Sequence, residues 1–435
     1  MKNKIRQILY DMRHQPLVAW VTVIGTALSI FLIMIVVMIQ QSGVVPYAPE
    51  SNRDRMLYGA YFHAESTDPD NGGSASAGLS YRGARRLYGD LDGVEKTSFF
   101  ALYGEDADVK GTSGTTFNAS LRRADAAFWD IFDHKLLKGR FYTKAEVDAD
   151  RPVAVVTEST AARLFGNDEP LGNTVLVNHE PYEVVGVVAD HTKLATSGSG
   201  DVFLPMSPAI VDGERTRYDF NANWDINMFG SVYVALLVKQ GVDFSHVRDQ
   251  VKARYAEIDT EIAEKGCRSV YHEAPYDQAT LASGLRGSNS TPDTESGRNL
   301  RLLVYLILLI VPAINLSSML HSRMRSRVSE IGVRRAYGCT RSRLIADIIT
   351  ENFLVTLAGS IIGLAMGVTV ALTYDGLFTD SSFRTVHPSL GIILNWGVVA
   401  TAVGFCFLLN LISASVPAWQ ASRVNPVQAI NSSNK

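Results

Sequence analysis

The stretch Phe353–Tyr374, FLVTLAGSIIGLAMGVTVALTY, runs for 22 residues without an Asp, Glu, Lys or Arg. As an α-helix rising 1.5 Å per residue it reaches about 33 Å, enough to cross a hydrocarbon layer of roughly 30 Å. Leu17–Ile39, Leu302–Leu320 and Gly391–Val416 have the same character. Core helices of soluble proteins are seldom apolar over such lengths. The sequence therefore predicts a membrane protein with four transmembrane α-helices.

Basic residues orient the spans. Lys2, Lys4, Arg6 and Arg13 precede the first; Arg323, Arg325, Arg327, Arg334, Arg335, Arg341 and Arg343 lie between the second and third; Arg423 and Lys435 follow the fourth. Positive residues near helix ends stay on the cytoplasmic side, so both termini are expected inside. The predicted plan begins with a cytoplasmic amphipathic helix over 1–16, with Ile5, Ile8, Leu9 and Met12 on one face. Transmembrane helices follow at 17–40, 299–320, 351–374 and 391–416. Between the first two lies an extracytoplasmic domain, 41–298; between the next two, a cytoplasmic loop, 321–350; then a short outer loop, 375–390, and a cytoplasmic tail, 417–435. The first apolar run is about twice as long as a signal peptide's and no A-x-A site follows Gln40, so an uncleaved anchor is expected.

Residues 41–298 carry 26 basic and 38 acidic side chains, a net −12, while the remainder carries +9. An acidic exterior offers no electrostatic reason to bind nucleic acid, though it could meet cationic ligands. Cys267, Cys339 and Cys406 fall in different compartments of this topology, which leaves no intrachain disulfide to expect.

The pattern over 46–298 is that of a large α+β domain. Expected strands are 56–62, 115–122, 153–157, 175–178, 182–188, 202–206 and 232–238. Expected helices are 80–90, 126–137, 159–165 and 244–263, with Ser159 as a cap. Residues 71–74 and 284–296 read as mobile loops, the second as a hinge into the second span.

The stretch HSRMRSRVSEIGVRRAYGCTRSRLIADIITEN, 321–352, carries the strongest cytoplasmic signal. Ser329 can cap a short helix, Glu330 and Arg334–Arg335 complement its dipole, and Gly338 supplies a left-handed stop. Ile331, Val333, Ala336 and Tyr337 are then available for docking, and Thr340 caps the helix that enters the third span. In that span Gly359, Gly363 and Gly367 share one face and permit close approach of another helix, within the chain or from a second subunit. Pro312 predicts a kink near Leu308 in the second span. Asn315 places an amide there, facing a partner helix, a cavity or a local bond.

No G-x-x-x-x-G-K-S/T loop, G-x-S-x-G elbow or H-E-x-x-H helix is present, and His272-Glu273 lacks a second histidine one turn later. The chain reads as no enzyme, with no metal site and no cofactor of its own.

The run Glu330-Ile331-Gly332-Val333-Arg334-Arg335-Ala336, followed by Tyr337, Gly338, Thr340, Arg343, Glu351 and Asn352, resembles the FtsX/MacB-type permeases of ABC transporters. So do the tail residues Pro417-Ala418, Arg423-Val424-Asn425-Pro426 and Ala429-Ile430. Residues 139–141, 155–158, 164–166, 170–172 and 182–190 are similar to the MacB-like periplasmic core. The resemblance implies that Glu330–Gly338 docks on a cytoplasmic ABC ATPase subunit that supplies ATP and Mg. It also implies a second permease copy or paralogue, and mechanotransmission to the outer domain in the bacterial inner membrane. MacB fuses an ATPase ahead of its first span, whereas about 16 residues precede it here, so the ATPase is expected from another gene. Two outputs fit the resemblance. One is export or extraction of peptides, antibiotics or lipoproteins, with a periplasmic adaptor or lipoprotein as partner. The other is an FtsX-like scaffold or antimicrobial-peptide sensor acting on a hydrolase or signalling partner.

Overall fold

A computed structural model describes residues 16–68, 73–101, 104–191, 195–206, 227–284, 291–326, 331, 333, 334, 336–373 and 396–422. The expected N-terminal amphipathic helix, the 375–390 loop and most of the tail lie outside them. Among the described residues the helices are α1 (Pro16–Ser42), α2 (Tyr81–Tyr88), α3 (Phe128–Ile131), α4 (Lys144–Asp148), α5 (Glu158–Phe165), α6 (Phe244–Ala263), α7 (Gln278–Ser283), α8 (Thr294–Ser326), α9 (Arg341–Thr373) and α10 (Trp396–Ser422). The strands are β1 (Met56–Gly59), β2 (Tyr61–Ser66), β3 (Ser74–Leu79), β4 (Val94–Ala101), β5 (Glu105–Lys110), β6 (Thr116–Ala124), β7 (Leu136–Gly139), β8 (Val153–Thr157), β9 (Thr174–Val177), β10 (Glu180–Val188), β11 (Val202–Pro205), β12 (Phe229–Gly230), β13 (Val232–Val238), β14 (Cys267–Ser269) and β15 (Tyr276–Asp277).

The chain divides into two compact units: a sheet unit spanning Gly43–Gly297, and a helix unit containing α1, α8, α9 and α10.

In the sheet unit, β11, β8, β10, β9, β5 and β6 are hydrogen-bonded in that order, and β6 pairs back onto β11, with Val202 opposite Leu121. Six strands thus close into a barrel. Alternate residues from all six meet in one core: Ala107, Val109, Ala119, Leu121, Ala154, Val156, Val175, Val177, Val184, Val202 and Leu204, joined by Leu164 and Phe165 of α5. A second sheet runs β4, β13, β3, β2, β14, linked to the barrel where Phe100 of β4 pairs with Ala124 of β6. Helices α2 and α6 cover this sheet through Ala84, Leu87, Tyr88, Val247, Val251, Tyr255, Ile258 and Ile262.

Strand β13 explains why VYVALLV is apolar without interruption. Val232, Val234, Leu236 and Val238 enter the helix-covered core, while Tyr233, Ala235 and Leu237 enter an aromatic core with Phe100, Phe128, Phe132 and Phe203. A strand buried on both faces has no polar face to alternate with. Each such Val or Leu contributes about 1.5–3 kcal/mol by leaving water.

Three local expectations change. The apolar spacing of 126–137 yields only the single turn α3. Phe128, Trp129, Ile131 and Phe132 are all buried, which leaves only Asp130 of this turn facing solvent, and the backbone turns extended at Phe132 (φ −100°, ψ 115°) before β7. The strand expected over 56–62 breaks at Ala60, because β1 pairs with β13 and β15 while β2 pairs with β3 and β14. Helix α5 begins at Glu158 with Thr157 at its cap position, and the Ser159 N–H instead donates to Asp190 Oδ1 at 3.0 Å.

The four long helices outrun their apolar stretches. Helix α8 begins at Thr294, inside the expected hinge, α9 begins at Arg341, and α10 continues past Pro417 to Ser422. By length and composition Val23–Gln41 and Arg341–Val370 can each cross a membrane. Many large apolar side chains on α1, α8 and α9 are exposed, among them Trp20, Ile24, Leu302, Leu306, Ile314 and Ile361, as suits surfaces surrounded by lipid.

Candidate coupling segment and helix seam

Ile331, Val333, Arg334 and Ala336 are helical, with the Tyr337 N–H donating to the Val333 carbonyl at 3.1 Å. Gly338 then takes φ +90°, and the Cys339 N–H reaches back to the Arg334 carbonyl at 3.1 Å. That six-to-one bond across a left-handed glycine closes the helix as a Schellman motif, which is why glycine is required there. Beyond it, Thr340 Oγ1 accepts the Arg343 N–H at 3.4 Å, capping α9. Ser329, Glu330, Gly332 and Arg335 lie outside the described residues.

The turn has an anchored side and an exposed side. Ile331 is buried, packed with Leu344 and Ile348 of α9 and Ala414 and Ala418 of α10. Ile331 is therefore not available for docking: it ties the segment to its own helices. Val333, Arg334 and Ala336 are exposed, and Tyr337 is 89% exposed, nearly as open as a side chain in an extended chain.

Gly359, Gly363 and Gly367 face α1 of the same chain, which places the close approach within one subunit. A Cβ at 359 would lie 2.8 Å from Thr26 Cβ and 3.0 Å from the Val23 carbonyl oxygen. One at 363 would lie against the Ala27 carbonyl oxygen and 3.1 Å from Ile30 Cβ. One turn from the Ile331 pocket, Asn352 Nδ2 donates to Ser413 Oγ at 3.2 Å, a buried polar link between α9 and α10. Sequence reasoning missed this link: Asn352 stands out there only as part of the family-like run, and it sits beside Glu351 at the edge of the apolar stretch. Pro312 and Asn315 both lie within the uninterrupted helix α8. In the sheet unit His272 Nε2 is 2.9 Å from His63 Nδ1, so this ring is engaged by another histidine. Cys267 is buried.

A model of the MacB-like periplasmic core domain matches residues 19–254, more than half of the chain, and one of the FtsX-like permease C-terminal region matches 302–426. The chain belongs to the MacB/FtsX-like permease family. It is accordingly an ABC-transporter permease and a membrane protein with a large extracytoplasmic domain. It is similar to the macrolide export ATP-binding/permease protein MacB of Neisseria meningitidis, 24% identical over 73% of this chain and 44% of that protein. Thus the chain spans under half the length of the MacB relatives it matches. The uncharacterized ABC transporter permease YknZ of Bacillus subtilis is 23% identical over 72% of this chain and 70% of that protein. A crystal structure of the periplasmic region of MacB from Actinobacillus actinomycetemcomitans aligns with 51% of this chain and 90% of that one at 18% identity, with a TM-score of 0.33.

Proposed function

We propose that this permease is the membrane subunit through which a separate cytoplasmic ABC ATPase drives movements of the extracytoplasmic domain. Helices α1, α8, α9 and α10 are its four spans in the bacterial inner membrane, with both termini cytoplasmic and the sheet unit outside. The work delivered is export or extraction of peptides, antibiotics or lipoproteins at the outer face, with a second permease copy or paralogue completing the assembly. ATP and Mg bind the ATPase.

The observation that carries this reading is the two-sided turn at 331–338. A segment meant only to connect α8 to α9 has no need of one buried isoleucine and a set of exposed side chains that includes an uncovered tyrosine. Tyrosine and arginine are the residues that most often dominate protein interfaces. The basic alternative, a loop touching anionic lipid, depends on charge alone. The test is Arg334→Glu combined with Tyr337→Ala in the full-length permease co-expressed with its ATPase. The expected result is normal membrane insertion and loss of ATPase co-purification. Undiminished co-purification would overturn the assignment.

A further inference from the structure

Glu50 stands eight residues beyond the last residue of α1 and is fully buried. Its Oε2 accepts from Arg53 Nε at 2.7 Å, with both side chains 1% exposed, and its Oε1 accepts the N–H groups of Ser197 at 2.9 Å and Gly198 at 2.8 Å. Arg53 also donates from Nη1 to the Val45 carbonyl at 3.1 Å and lies 4.2 Å from the centre of the Tyr47 ring. Two further bonds fasten the same strap: Gln278 Nε2 donates to the Gly43 carbonyl at 2.8 Å, and the Asp133 N–H donates to the Pro49 carbonyl at 2.9 Å.

The loop on the other side of the carboxylate is equally constrained. A Cβ at Gly198 would lie 2.9 Å from Phe132 Cδ1, 3.1 Å from Pro49 Cγ and 3.4 Å from Glu50 Cγ, so the strap and loop approach as closely as a glycine allows. From behind, Arg122 donates to the Thr196 and Ser199 carbonyls at 3.0 and 3.1 Å, and His134 Nε2 is 2.9 Å from the Gly198 carbonyl oxygen.

A buried ion pair is poor evidence of stability, since apolar residues of similar volume often serve as well or better. What a satisfied buried network supplies is a single geometry. A linker without such contacts runs solvated over the surface, and a displacement at one end is taken up within it.

We propose that Glu50, Arg53 and Gly198 are positioning residues for mechanical coupling. They fix the strap that continues α1 onto the Thr196–Gly200 loop, so a displacement of α1 reaches the sheet unit instead of being absorbed in the linker. The inference rests on the coupling function proposed above and adds the joint through which that coupling leaves the membrane.

The test uses the full-length permease with its ATPase in lipid nanodiscs, compared with and without ATP by hydrogen-exchange mass spectrometry. The variants are Glu50→Gln and an insertion of four glycines between Ser42 and Gly43, which leaves the network untouched and keeps the test valid should Glu50→Gln fail to fold. Both should retain ATPase co-purification and basal ATP hydrolysis, readouts that a joint beyond the membrane does not move. In Glu50→Gln the Ser197 and Gly198 amides should exchange on the order of tenfold faster, because their charged acceptor is gone. In both variants the ATP-dependent change in exchange across the sheet unit should be lost. Survival of that response in the insertion variant, or in Glu50→Gln despite loosened amides, would overturn the joint. A wild-type complex that binds its ATPase but shows no response to ATP would overturn the coupling function, and this inference with it.

Discussion

Alanine at each of the three glycines of α9 adds the same methyl group but meets three different obstacles. At 363 the nearest atom is the Ala27 carbonyl oxygen, with Ile30 Cβ and Phe31 N at 3.1 Å; at 359 it is Thr26 Cβ at 2.8 Å; at 367 it is Met34 Cβ at 3.5 Å. Carbon atoms attract best at about 3.5–4.0 Å. Gly367→Ala therefore fits, while the other two push α1 and α9 apart by about 0.5–1 Å, a gap that forfeits a quarter to a half of each neighbouring contact. Overpacking of this kind costs about 1–3 kcal/mol. Replacing a helical glycine by alanine returns about 1 kcal/mol through propensity. A backbone oxygen cannot rotate away as a side chain can, so the steric cost prevails most clearly at 363. The expected order is Gly363→Ala destabilising by about 2 kcal/mol, Gly359→Ala by about 1 kcal/mol, and Gly367→Ala neutral to slightly stabilising. Gly25→Ala and Gly404→Ala, with no atom within 4 Å of the added carbon, report propensity alone. Thermal unfolding of the detergent-solubilised permease, followed by tryptophan fluorescence, resolves these differences at roughly 2–4 °C per kcal/mol. Equal effects at 363 and 367, or a Gly363→Ala that matches Gly404→Ala, would refute the reasoning.

Leu236→Ala, at the centre of β13, should cost about 2–5 kcal/mol by denaturant unfolding, whereas Leu137→Ala on exposed β7 should stay within about 0.5 kcal/mol. Ser413→Ala should cost about 1 kcal/mol, and the pair Asn352→Leu/Ser413→Ala less than the sum of its singles, because the two side chains share one bond. His134, buried among aromatic rings, has its pKa held well below the ordinary value by that burial and by His191 beside it. The unfolded chain takes up a proton near pH 6.5 that the folded state refuses, so stability is full above about pH 6.5 and declines as pH falls below it. His134→Gln should flatten that slope in melts run between about pH 5 and 7. His272, shifted in the same direction by burial and by His63, keeps a remainder.

The sequence was most legible where burial is two-sided and the run long: 153–157, 232–238 and 244–263 coincide with β8, β13 and α6. It was least legible where one face is charged and the strand short. EDADVK, with four charges in six residues, is assigned no element from its pattern, yet it is β5, with only Ala107 and Val109 turned into the barrel. Closure of that barrel depends on Leu121 meeting Val202, a register set by packing that no local pattern encodes. The capping signals around Gly338 and Thr340 were readable because helix ends use a small residue vocabulary. The fate of Ile331 was not, since periodicity marks a face as apolar without saying whether a neighbouring helix or a partner covers it. Glu50 was hidden for a similar reason: its backbone donors lie 147 and 148 residues away.

The closed ring of six strands gives the sheet unit a particular stiffness. An open sheet can shear, because one edge strand can slide past its neighbour at the expense of a single seam. In a ring every strand is held on both sides, so slippage at one seam requires slippage elsewhere, and each one-residue step would exchange inward for outward side chains. Under the joint proposed above, a push received at Thr196–Gly200, just before β11, would be passed on as a tilt or shift of the whole barrel.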